Sequence, residues 1–212
     1  MISLKVLKYN LVIFVKKNFY LLFIALLFFI TGIISGSVSV ELLSSQQKLR
    51  LVDFISFFLT EISNWQGEEK ILLRNTLAFN LKYITSIWLL SISIIGSVFI
   101  PLFLFLQAFI LGFTVSFLID EFLWLGFFFS ITSVLSYNLF LITGLLLASF
   151  VSLSFVKNII KFALLNKWKK IINALKQYSL IMLFISLFFI VAAIIEATIT
   201  PRLTNLILYL FS

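Results

Sequence analysis

Apolar positions in this chain come in long unbroken runs, separated by short polar stretches that alone carry a regular period. A bilayer core of roughly 30 Å is crossed by about 20 helical residues, and the runs divide on that ruler. The first covers 18–40. Lys16 and Lys17 precede it, as basic residues precede a signal peptide, but the run exceeds a typical signal core and lacks a small-x-small cleavage site, so an uncleaved span is expected. Residues 83–119 contain no charge, and as one helix they would extend about 55 Å, so the chain must fold back. Gly96 and Pro101 mark the break, predicting spans at 81–99 and 101–118 that are closed at the surface by Asp120 and Glu121. The stretch 122–156 is too long for one crossing and too short for two, predicting a short re-entrant or interfacial segment at 122–135 and a span at 137–156. A last span is expected at 178–199, stopping at Pro201. The fold class is therefore all-α: a single polytopic membrane domain over 1–212 with about five transmembrane helices.

Two polar stretches carry helical periodicity. Within the expected extracytoplasmic loop 41–80, Val52, Ile55, Leu59 and Ile62 recur at helical spacing among Asp53, Ser56, Thr60 and Glu61, predicting an amphipathic helix at about 49–62. Such a helix either rests on the bilayer surface or forms a docking surface for an external partner, with Trp65 presented just beyond it. In the expected cytoplasmic loop 157–177, Ile159, Ile160, Trp168, Ile171, Ile172 and Leu175 interleave with six lysines and no acid. Adhesion to an anionic leaflet accounts for that pattern.

Charge gives the orientation. Lys5, Lys8, Lys16 and Lys17 ahead of the first span, with the six lysines of 157–177, make up ten of the 16 basic residues and none of the eight acids. Cytoplasmic flanks retain Lys and Arg, and four crossings separate the two clusters, so the amino terminus is expected in the cytoplasm and the carboxyl terminus outside. The net charge of +8 is mostly this topological signal rather than a nucleic-acid footprint.

Composition agrees: 62% of residues are hydrophobic, 11% are charged and the mean hydropathy is +1.20, so lipid is the expected solvent and the bilayer the first partner. The chain has no cysteine and no histidine, which removes thiolate nucleophiles, the usual general base and the usual zinc and haem ligands. No phosphate-binding glycine motif and no convincing acid pair is present, so no catalytic, metal or cofactor site is expected. Gly32 and Gly36 form a Gly-xxx-Gly step, suited either to internal packing or to a homo-oligomer. Gln107, Asn138 and Glu196 are the polar groups expected at membrane depth, where an uncompensated polar group is costly; Glu196 would pair with Arg202 or Lys82 or form a buried ion site.

Several strings, in order, resemble the stage II sporulation protein M family of integral membrane proteins. They are Gly-Ile-Ile-Ser-Gly at 32–36, Leu-Ser-Ser-Gln-Gln-Lys at 43–48, Ile-Ser-Phe-Phe-Leu at 55–59, Asn-Leu-Lys-Tyr-Ile at 80–84, the Trp88 to Gly96 run, Gly-Phe-Thr-Val-Ser-Phe-Leu at 112–118 and Glu-Ala-Thr-Ile-Thr-Pro at 196–201. One departure stands out: where similar proteins have a proline before an asparagine entering the fourth span, this chain has Leu-Ser-Tyr-Asn at 135–138, which puts a kink there in question. The resemblance implies a non-enzymatic scaffold at the mother-cell membrane of the sporulation septum. Its implied partners are the stage II sporulation proteins D and P, membrane-anchored peptidoglycan hydrolases that act in septal thinning and engulfment. The rival expectations are a channel or transporter component, and a member of the same family with no link to sporulation.

Overall fold

A computed structural model describes residues 15–63 and 69–211, and every regular element among them is helical. In chain order these are α1 (Phe19–Glu41), α2 (Ser45–Ser63), α3 (Glu69–Ile92), a 3-10 turn (Gly96–Val98), α4 (Phe99–Phe129), a π-helical segment (Ser130–Leu135), α5 (Ser136–Leu164), α6 (Trp168–Ile194), a second π-helical segment (Ile195–Ile199) and α7 (Thr200–Phe211). Three stretches are long and apolar enough to cross a membrane: Phe19–Glu41, Gly96–Leu164 and Trp168–Thr204. The middle one has 69 residues, about 100 Å if straight, and it is not straight. At Leu123 the backbone enters the left-handed region (φ 50, ψ −122) and the chain doubles back. Gly126 is thereby brought so close to Leu118 that a Cβ on it would lie 1.8 Å from the Leu118 carbonyl oxygen.

The helices pack in two sets. In the first, α1 and α4 run parallel in the closest helix pair of the fold. Gly32 lies against the backbone at Phe105 and Gly36 against that at Phe109 and Phe113, while Gly112 of α4 meets Ile33 of α1. Ser37 Oγ donates to the Gly112 carbonyl at 3.3 Å across this seam. The Gly-xxx-Gly step is thus spent on internal packing, where missing side chains let two backbones approach. On α4, Phe105, Phe109, Phe113 and Phe117 form a ladder of rings one helical turn apart, with centroids 6.1–6.4 Å apart.

The second set is α3, α5 and α6, with α6 antiparallel to both neighbours. Near one end Tyr178 of α6 is buried, its hydroxyl hydrogen-bonded to Ser91 of α3 and, at 2.8 Å, to Ser152 of α5, with its ring stacked on Phe155. Trp88 Nε1 donates to Ser179 Oγ at 3.1 Å. Midway, the fully buried Phe189 fills the space above Gly144, and its carbonyl accepts from Asn80 Nδ2 at 3.3 Å. Lys157 of α5 links the sets, donating to Asn18 Oδ1 at 3.0 Å with its ammonium over the Tyr20 ring.

Several boundaries differ from the sequence reading. The helix expected at 81–99 starts twelve residues earlier, at Glu69, and stops at Ile92, and its second half runs antiparallel to α6 with Trp88 on Ser179 and Ser91 on Tyr178. No separate segment forms at 122–135: after the Leu123 reversal, residues 124–164 form one continuous helical run containing the first π segment. The widened turn at Ser130–Leu135 arises without a proline, held by Asn138 Nδ2 donating to the Val134 carbonyl at 2.8 Å. Residues 157–177 are a helical hairpin rather than a loop. Asn166 (φ 51) closes α5, with Asn166 N bonded to Ala163 O and Lys167 N to Phe162 O, the paired bonds of a Schellman C-cap. Nor does the helix end at Pro201. Proline lacks an N–H but fits the first turn of a helix, and the second π segment hands over to α7 there.

Candidate functional site

Gln107, Asn138 and Glu196 converge on one cavity of about 200 Å³, although they come from three distant points of the chain. Gln107 and Thr114 reach it from α4, one above the other at two-turn spacing, and Tyr137 and Asn138 come from the first turn of α5, just after the widened π segment. Glu196 enters from the second π segment. An extra residue in a helical turn rotates the following side chains off the regular face, and both π segments do this beside the cavity. Asn80 and Tyr83 of α3 complete the polar lining; Asn80 is 2% exposed. Sequence reasoning missed Asn80, Tyr83, Thr114 and Tyr137. Asn80 and Tyr83 lie in a string legible only as a charged helix margin, with Lys82 between them.

The Glu196 carboxylate is half-buried and, among the described residues, forms an ion pair with neither Arg202 nor Lys82. Among the described residues, the cavity lining contains no lysine or arginine. A single formal negative charge therefore faces amide and hydroxyl groups within an otherwise apolar wall that includes Ile110, Leu111, Val134 and Leu141. No cluster of metal-ligating side chains occurs among the described residues.

The second candidate is α2. Ser44 and Gln47 form a capping box at its start, with Ser44 N donating to Gln47 Oε1 at 2.9 Å and Gln47 N to Ser44 Oγ at 3.4 Å. Lys48 on its first turn pairs with Asp120, and with Glu121 at 3.5 Å, tying α2 to the far end of α4. The hydrogen bond to Asp120 raises the Lys48 pKa above its ordinary 10.5, the neighbouring charges adding to it and desolvation opposing. Stability from this pair is therefore fully present below 10.5 and lost as pH rises through the higher folded value.

Of the residues expected to form a docking face, Val52 and Ile55 are half-buried, on the side of α2 that also carries Lys48. Leu59 and Ile62 lie on the helix, but their side chains, like the whole of Trp65, fall outside the described residues. The exposed apolar side chains are instead Leu49, Phe54 and Phe57, at 63%, 67% and 65%. Phe54 and Phe57, interleaved with the expected stripe, were not singled out from the sequence.

No curated protein and no solved structure matches the chain. The family model described as stage II sporulation protein M matches residues 25–201, which takes in α1 from residue 25, the Gly32 to Gly36 seam, α2, all the described cavity-lining residues and the turn into Pro201. Membrane association is suggested both by that family and by the apolar helices. Taken with the order and length of the matched elements, this match makes the chain a member of the SpoIIM (stage II sporulation protein M) family.

Proposed function

We propose that this protein is a five-pass membrane scaffold that gathers membrane-anchored peptidoglycan hydrolases at the sporulation septum, for septal thinning and engulfment, and that α2 presents the docking face on the wall side. The five passes are α1, α3, α4 up to Leu123, the run 124–164 and α6, which alternate in direction. The end bearing Asn18, Lys157 and the lysines around Asn166 is then cytoplasmic, in keeping with retention of basic residues on that side. Both expected hydrolase partners, the stage II sporulation proteins D and P, would act on the opposite side.

The observation that carries the proposal is the exposed Leu49, Phe54 and Phe57 face on a helix capped and pinned at the end of the bundle opposite Asn18 and Lys157. Aromatic side chains are enriched at the centres of protein interfaces, where a few residues carry most of the binding energy. A scaffold needs only modest affinity for each partner, because anchoring on one platform makes the second encounter effectively intramolecular.

The test is affinity recovery of the tagged protein from sporulating cells in mild detergent, with mass spectrometry of what accompanies it. Membrane-anchored wall hydrolases are expected with the wild type, and recovery is expected to fall at least about tenfold in the Phe54→Asp, Phe57→Asp variant, equivalent to 1.4 kcal/mol of lost binding. Hydrolase recovery undiminished by that variant would remove α2 from the docking surface.

A further inference from the structure

We propose that the cavity around Glu196 binds a single organic cation, a protonated amine on a lipid-soluble body, that enters sideways from the bilayer. The charge balance selects the sign of the ligand. Glu196 is the one ionisable acid in the lining, no basic side chain accompanies it, and no ion pair neutralises it among the described residues. A charge held in apolar surroundings without a partner is costly, and a bound cation removes that cost. An anion would add to it, and a neutral ligand would leave it in place.

The rest of the lining selects an ammonium group over a metal ion. Metal ions of the alkali and alkaline-earth series take a close shell of oxygen ligands. This cavity is roomier, at about 200 Å³, and puts one carboxylate opposite the side chains of Gln107, Thr114 and Asn138, with much of the wall aliphatic. Tyr83 and Tyr137 also line the cavity, and aromatic rings are groups with which alkylammonium ions associate. Gln107, Asn138 and the hydroxyls can meet the N–H donors, while the aliphatic wall suits the first methylenes.

The mouth indicates the route. Phe79 of α3 and Ile110 of α4 flank the cavity and are 59% and 57% exposed, apolar side chains on a surface suited to lipid. Helices α3 and α4 touch little along their length, since α4 packs chiefly on α1 and α3 on α6. Ile110 lies ten residues before Asp120, about 15 Å along the helix from that charged end. A water-soluble ligand would have to pass beneath that depth, whereas an amphiphile reaches it from its own phase.

Binding of radiolabelled octylammonium to the purified full chain in nanodiscs, with empty nanodiscs as background, tests this. Saturable binding at one equivalent is expected, displaced by octyltrimethylammonium and unaffected by 1-octanol or octyl sulfate. Glu196→Gln is expected to weaken binding at least about tenfold, as loss of an ionic contact in a desolvated site does. Ile110→Trp, at an exposed position outside the helix seams, is expected to slow or block entry while keeping Glu196 in place. Displacement by sodium or potassium chloride matched against choline chloride of equal ionic strength would overturn the organic-cation assignment. So would binding that Glu196→Gln and Ile110→Trp both leave unchanged, or the absence of saturable binding to folded wild type.

Discussion

Gly36→Ala is expected to destabilise the protein by about 2 kcal/mol, although the same exchange in an isolated helix would stabilise it by about 1 kcal/mol through helix propensity. The sign is decided by what the new methyl group meets. Its Cβ would lie 2.1 Å from the Phe109 carbonyl oxygen and 2.8 Å from the Phe113 backbone nitrogen, and neither is the free end of a side chain that could swing aside. Helices α1 and α4 would have to separate along a seam that also includes Gly32, Gly112 and the Ser37 hydrogen bond. The matched control is Gly144→Ala, whose Cβ would meet the Phe189 ring at 2.8 Å and the Phe188 Cβ at 3.1 Å, side-chain atoms rather than backbone. Unfolding in mixed micelles of rising SDS fraction should rank Gly36→Ala well below Gly144→Ala. Equal stability of Gly36→Ala and wild type would mean that the two backbones do not meet there.

Phe189→Ala should cost about 3–5 kcal/mol, the range for truncating a fully buried aromatic residue. Phe189 is 0% exposed and sits where α3, α5 and α6 meet; its carbonyl bond to Asn80 survives truncation, so the loss is one of packing and cavity formation. Phe184, five residues earlier on the same helix, is 59% exposed, and Phe184→Ala should cost less than about 1 kcal/mol because its ring faces the surrounding phase in both states. The same SDS titration checks both. A cost for Phe184→Ala equal to that of Phe189→Ala would contradict the assigned face of α6.

The helices that were legible in advance are those whose solvent decides them. The run at 18–40 is α1 to within a residue, and 101–118 falls inside α4, because an uninterrupted apolar stretch in lipid must satisfy its backbone bonds internally as a helix. The Leu123 reversal was not legible. A left-handed backbone normally announces itself by glycine or asparagine, and here a leucine takes it, held by the approach of Gly126 to Leu118. Pro201 was misread for the converse reason: a helix breaker in one register is a helix starter in the next.

The candidate site divides in the same way. Gln107, Asn138 and Glu196 could be singled out one at a time by the cost of burying them in lipid, and Asn80 or Tyr137 could not, since each lies beside charged or interfacial positions in the sequence. Their convergence depends on the two π segments and on how α3, α4 and α5 meet, neither of which leaves a mark in the pattern of hydrophobicity. On α2 the helix expected at about 49–62 forms within Ser45–Ser63. Val52 and Ile55 form the more regular stripe, but Lys48 turns that stripe toward Asp120 and Glu121 and leaves Phe54 and Phe57 outward.

Site-specific photo-crosslinking in sporulating cells tests the scaffold claim most directly, with the photoreactive side chain placed at Phe57 on α2 or at Asn166 in the turn between α5 and α6. The account predicts a membrane-anchored peptidoglycan hydrolase in the Phe57 adduct and none in the Asn166 adduct, since the proposed topology puts the two positions on opposite sides of the membrane. Hydrolase adducts from Asn166, or adducts of Phe57 with lipid alone in correctly inserted protein, would contradict it.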